Sequence, residues 1–213
     1  VTRPGTGQAT SLRIRVRRRR AVGLLVAAAA IALAVAALAS STSPSPPSSP
    51  EGGRSRGGQG EALGTAGGAV PDGTTVFDDD VPGVAKLDPA LLAAVRDAAA
   101  DASADRVGFV VDSGWRSPAY QAHLLSDAVA QYGSEREAAR WVATPETSAH
   151  VSGDAIDLGP PAAAQWLSQH GAAYGLCQVY GNEPWHYELR PGAADRGCLA
   201  PYADPTQDPR MQR

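Results

Sequence analysis

Hydrophobic and polar positions change character several times along this chain. Ala21 to Ala39 is an unbroken run of 19 residues of Ala, Val, Leu, Ile and one Gly. It has no polar face, and its length is about what the ~30 Å hydrocarbon core of a bilayer requires. Residues 40–69 are mostly Ser, Pro, Gly and Thr, too poor in large apolar groups to offset the entropy of ordering, and predict a flexible linker. Mixed periodicity begins near Val70 and runs to about Tyr202, followed by a polar tail over 203–213. Within 70–202, Leu91, Leu92 and Val95 form one apolar stripe of a helix that starts at Asp88-Pro89. Val107 to Val111 reads as a buried strand. Ser117-Pro118 opens a helix to about Tyr132, and Ser134 with Glu137 forms a capping box for a short one. Ala155 to Leu158 alternates so that Ile156 and Leu158 enter a core while Asp157 takes the opposite face. Pro161 to about His170 is helical, and Leu176–Tyr180 and His186–Arg190 are strands. The order predicts an α+β domain: a small antiparallel sheet flanked by helices, preceded by a transmembrane helix and a linker.

Charge sharpens this division. Residues 1–20 hold seven Arg and no acid, ending in Arg17-Arg18-Arg19-Arg20, which marks a cytoplasmic segment and sends everything after it out of the cytoplasm. A cleaved signal is the alternative, because Ala37-Leu-Ala39 before Ser40 resembles a signal-peptidase site; the apolar run is long for a signal core, so a single-pass plasma-membrane anchor is favoured. From Gly60 onward there are 21 acidic and 10 basic residues. That balance excludes a nucleic-acid partner, which would need a basic surface. In an exported domain the two cysteines, Cys177 and Cys198, predict a disulfide. Zinc ligation by them is the weaker reading, since they lack a Cys-x-x-Cys spacing.

Two segments carry the chemistry: Ser148-Ala-His150-Val-Ser-Gly153-Asp-Ala155-Ile-Asp157 and Glu183-Pro-Trp185-His186-Tyr-Glu188. Zinc in hydrolases takes three protein ligands and keeps one position for water, whose pKa falls to about 7. His150, Asp157 and His186 are the candidate ligands for one zinc per chain, with Asp154 an alternative that spacing leaves open. Glu183 is the candidate general base and Glu188 the next. Pro184 implies a loop that re-aims Glu183, since one regular strand would point Glu183 and His186 to opposite faces. Arg116 sits at a strand-to-helix junction, where its guanidinium can reach a cleft and grip a carboxylate or oxyanion. His123 and His170 read as ordinary helix residues.

These motifs, together with Ser113-Gly-Trp-Arg116-Ser117, resemble the zinc D-alanyl-D-alanine carboxypeptidases and dipeptidases, metallopeptidases that share a small α+β fold with Hedgehog-type domains. The likeness covers about Leu87 to Arg190. It implies zinc at His150, Asp157 and His186, catalysis by Glu183 and Arg116, and Ser148, Gln121 and Trp185 on the substrate side. Trp115 stands where the family has Tyr. The resemblance therefore leads us to expect a membrane-tethered, extracytoplasmic monomer that removes the terminal D-Ala of peptidoglycan stem peptides. A D,D-dipeptidase, a peptidoglycan endopeptidase and a zinc-containing binding module are the alternatives; Glu183 favours catalysis, because a binding module needs no base.

Overall fold

In the computed structural model, Gly60 and residues 62–212 are described. They fall in one compact unit, Glu51–Arg213. The segments 1–20, 21–39 and most of 40–69 lie outside the described residues, and with them the expected anchor. Among the described residues no helix is long and apolar enough to cross a membrane.

Chain order gives α1 (Pro82–Ala85), α2 (Pro89–Ala104), β1 (Val110–Ser113), α3 (Pro118–Tyr132), α4 (Glu135–Ala138), α5 (Ala149–Ser152), β2 (Ala155–Gly159), α6 (Pro161–His170), β3 (Leu176–Gln178), β4 (His186–Leu189) and α7 (Ala193–Arg196). Local rules account for the helix starts. Asp88 caps α2, accepting from the backbone N–H of Ala90 at 2.9 Å and Leu91 at 3.1 Å. Ser117 caps α3 through Tyr120 N–H at 3.1 Å, with Pro118 at its first position. Ser134 caps α4 through Glu137 N–H at 3.3 Å. Only that half of the expected box is present, because the Glu137 carboxylate pairs with Arg136 and Arg140 instead.

The sheet has order β1-β2-β4-β3 and every pair is antiparallel. Its first strand lies three residues later than the apolar run predicts: α2 closes through Val107 N–H to Ala102 O at 2.9 Å, so Val107 to Phe109 form the connection. One sheet face carries Ile156, Leu158 and Tyr187 against Leu91, Val95 and Leu167 of α2 and α6. At about 25 cal/mol per Å² of apolar surface, this single core supplies most of the favourable free energy of the domain. On β4 the alternation sends Tyr187 into that core, where its hydroxyl donates to Ala164 O at 2.9 Å, and turns His186 and Glu188 to the other face. Asp157 sits opposite His186 in the β2/β4 register, so the two share that other face.

Residues beyond Tyr202 differ from the polar tail expected. Two short 3₁₀ turns, Pro205–Gln207 and Pro209–Gln212, pack on the domain, and Asp208 is fully buried. Asp208 pairs with Arg210 in the turn itself, and Asp204 pairs with the distant Arg140. Cys177 and Cys198 form a disulfide.

Candidate metal centre and cleft

His150, Asp157 and His186 converge, all three buried. His150 Nε2 lies 3.3 Å from His186 Nδ1 and 3.4 Å from Asp157 Oδ1, and His186 Nδ1 lies 3.1 Å from that oxygen. A tetrahedron with metal–donor bonds of about 2.0 Å, the zinc value, has edges of about 3.3 Å. The donor triangle therefore fits one face of such a polyhedron, with no rearrangement. Asp154 is excluded from it: exposed, it accepts from Ser152 Oγ at 2.6 Å.

Each candidate ligand is oriented from behind. Nδ1 of His150 donates to Gly114 O at 2.9 Å, which leaves the Nε2 lone pair for the metal. Gly114 has to be glycine, because a Cβ there would meet Gly83 O at 2.0 Å. On the other imidazole, Nε2 faces Glu188 Oε1 at 3.4 Å. Asp157 Oδ2 accepts from Arg116 Nη2 at 3.0 Å, while its Oδ1 faces the centre. Burial by itself would raise the Asp157 pKa, yet the two imidazoles hold it well below the usual carboxylate range. Burial works against a charged His186 as well, but the hydrogen bonds to Asp157 and Glu188 bring it up to about 9 in the metal-free protein.

Glu183 precedes β4 in a turn, its N–H bonded to Tyr180 O and its carbonyl to His186 N–H, which is the re-aiming that Pro184 implies. Its Oε2 lies 3.8 Å from His186 Nδ1, and its buried Oε1 has no hydrogen-bond partner among the described residues. Burial pushes its pKa up to about 7, despite the opposing pull of His186. Such a carboxylate suits proton transfer near neutral pH.

Arg116, Ser148 and Trp185 line a cleft of about 440 Å³ that opens on the donor triangle, and Trp185, 40% exposed, stands at its rim. The Arg116 guanidinium donates from Nε to Ser113 Oγ at 2.7 Å and from Nη1 to Gln121 Oε1 at 3.2 Å, besides its bond to Asp157. Gln121 is also in the cleft wall, but its amide is engaged by Arg116 and by Ala143 O at 2.8 Å. It holds Arg116 in place. Lys86 Nζ lies 3.8 Å from the centre of the Trp115 ring, a cation–π contact that uses the aromatic face. Sequence reasoning missed the Gly114 carbonyl and Glu188 as the groups behind the two imidazoles, and Ser113 as a brace of Arg116; Glu188, two residues from His186 on one strand face, carried a local signal.

The model of the VanY D-alanyl-D-alanine carboxypeptidase family matches residues 84–191, just over half of the chain. The chain belongs to the VanY family. It is similar to the D-alanyl-D-alanine carboxypeptidase of Enterococcus faecalis (strain ATCC 700802 / V583), 31% identical over 111 residues, in a match covering 40% of this chain and 41% of that protein. The chain thus spans less than half the length of this relative. Among solved structures it is similar to VanYB in complex with D-alanine-D-alanine, 27% identical with a TM-score of 0.49, over 52% of this chain and 75% of that one. It is also similar to a VanY D,D-pentapeptidase from a VanB-type resistance cassette in complex with Zn(II), 27% identical with a TM-score of 0.46, over 48% and 72%. All the residues of the candidate site described above lie inside the matched region.

Proposed function

We propose that the protein is a zinc D,D-carboxypeptidase that removes the terminal D-Ala from D-Ala-D-Ala-ended peptidoglycan stem peptides. The observation that carries this reading is the donor triangle of His150, Asp157 and His186, opening on a cleft beside the buried Glu183, whose Oε1 has no hydrogen-bond partner among the described residues. Family membership supports the substrate class. When bound, zinc supplies Lewis acidity, which acidifies water and polarises the scissile carbonyl.

The chain's own residues supply the rest. Glu183 Oε1, which has no partner among the described residues, takes a proton from the attacking water as the water oxygen bonds to the carbonyl carbon before the last residue. As the C–N bond breaks, Glu183 returns that proton to the leaving amine, and free D-Ala departs. Arg116 has five N–H groups, three of which are used within the protein, so one remains on each terminal nitrogen for the oxyanion or the substrate carboxylate. Ser148 and Trp185, both in the cleft wall, border the peptide.

The setting of the enzyme is part of the same proposal. The Arg-rich start, the apolar run 21–39 and the Cys177–Cys198 disulfide support an extracytoplasmic domain tethered to the plasma membrane. A complete donor set from one chain supports action as a monomer. Incubating the protein with a muropeptide that carries a pentapeptide stem should yield, by mass, the tetrapeptide and free alanine. Cleavage of cross-linked dimers alone would replace the carboxypeptidase by an endopeptidase.

A further inference from the structure

Behind His186 stands a chain of groups that ends outside the family-matched region. Glu188, only 3% exposed, faces His186 Nε2 and receives a fork from Arg210: Nη1 to Oε2 at 2.7 Å and Nη2 to Oε1 at 3.0 Å. Asp208 holds Arg210 in turn, accepting from its Nε at 2.9 Å and from its backbone N–H at 2.9 Å. The fully buried Asp208 also accepts from the Tyr180 hydroxyl at 3.1 Å, and the Tyr180 ring lies 5.1 Å from that of His186. Further back, Asp204 ties the segment to the domain through Arg140 Nε at 3.1 Å. Arg190 touches Glu188 as well, but by a single contact to Oε2 at 2.9 Å.

We propose that Arg210 is a positioning residue for the metal centre. By gripping both oxygens of Glu188 it keeps Oε1 aimed at Nε2 of His186, so that Nδ1 faces Asp157 and His150. Without the fork, Arg190 alone would hold Glu188 by Oε2, leaving Oε1 free to rotate away from the imidazole. A ligand imidazole that loses the acceptor on its other nitrogen loses orientation and basicity, typically at a cost of about 10–100-fold in metal affinity. This inference rests on the zinc reading of the site given above.

Its test is zinc affinity, measured on the full chain by competition with a chelator, alongside the melting temperature of the metal-free protein. Arg210→Met and Glu188→Gln should each bind zinc about 10–100-fold more weakly than wild type. The double variant should be no weaker than either single one, because two members of one chain are not additive. Arg210→Lys should recover only part of the loss, since one ammonium cannot grip both oxygens; it also carries the test should Arg210→Met fail to fold. Zinc affinity of the Arg210 variants equal to wild type, with only the melting temperature lowered, would make Arg210 a purely structural residue and overturn the inference. Additive losses in the double variant would overturn it too. A wild-type protein that takes up no zinc would instead overturn the reading of the site itself.

Discussion

Glu183 is the residue at which burial and the proposed proton transfer meet most plainly. A buried carboxyl with one unpartnered oxygen is costly to keep, and the fold keeps it beside three convergent metal donors. Glu183→Gln preserves size and packing but removes the proton acceptor. It should retain stoichiometric zinc by metal analysis while its turnover falls by ~10²–10⁴. Arg116 combines two tasks, steadying Asp157 and offering the cleft two N–H groups. Lys at this position keeps the charge without the fork, so Arg116→Lys should lower kcat/KM while zinc stays bound. A loss mainly in kcat would point to the oxyanion, and a loss mainly in KM to the ground-state carboxylate. The convergence of His150, Asp157, His186 and Glu183 was legible because zinc hydrolysis demands those residue types and the two motifs concentrate them, and Arg116 was legible from its strand-to-helix junction. Gln121 was read as facing substrate, whereas its amide braces Arg116. Residue type and spacing place a side chain near a site; they do not say which of two polar neighbours it serves.

At the scale of elements, strand register builds the site. Pairing of β2 with β4 sets Asp157 beside His186, and the short helix α5, closed by Gly153 at φ 84°, delivers His150 to them. Capping and Pro positions made the starts of α2 and α3 readable, and alternation made β2 readable. The strand β1 was misplaced because Val107 and Phe109 are apolar for packing, not for pairing. The turns after Tyr202 were missed although Asp204-Pro205 and Asp208-Pro209 carry a local start signal, because what docks them on the domain is ion pairs to the distant Arg140 and Glu188. Those pairs have a pH signature. Burial would raise the Glu188 pKa, but hydrogen bonds from His186 and Arg210 outweigh it and lower it to about 2. A depressed carboxylate pKa contributes stability above its unfolded value of about 4.3 and loses it as pH falls through the folded value. The melting temperature of the metal-free protein should therefore fall between about pH 4.5 and 2, and Glu188→Gln should flatten that slope.

The described residues form a small domain whose core covers one face of a four-stranded sheet, while the other face carries Asp157 and His186 and the short helix α5 brings His150 to them. The Cys177–Cys198 bond closes a separation of 21 residues around the segment that holds Glu183 and His186. Its reduction should cost ~3 kcal/mol through the freed loop, visible as a lower melting midpoint. Native protein exported by a cell should accordingly resist thiol labelling until it is reduced, and freely labelled cysteines would argue against an oxidising compartment. The most direct test of the central claim is the rate of D-Ala release from a D-Ala-D-Ala-ended pentapeptide before and after the metal is stripped and zinc restored. We expect release by the native protein, loss of nearly all of it on chelation, and recovery with about one zinc per chain. Undiminished release from fully metal-stripped protein, or none from the zinc-loaded protein, would contradict the account.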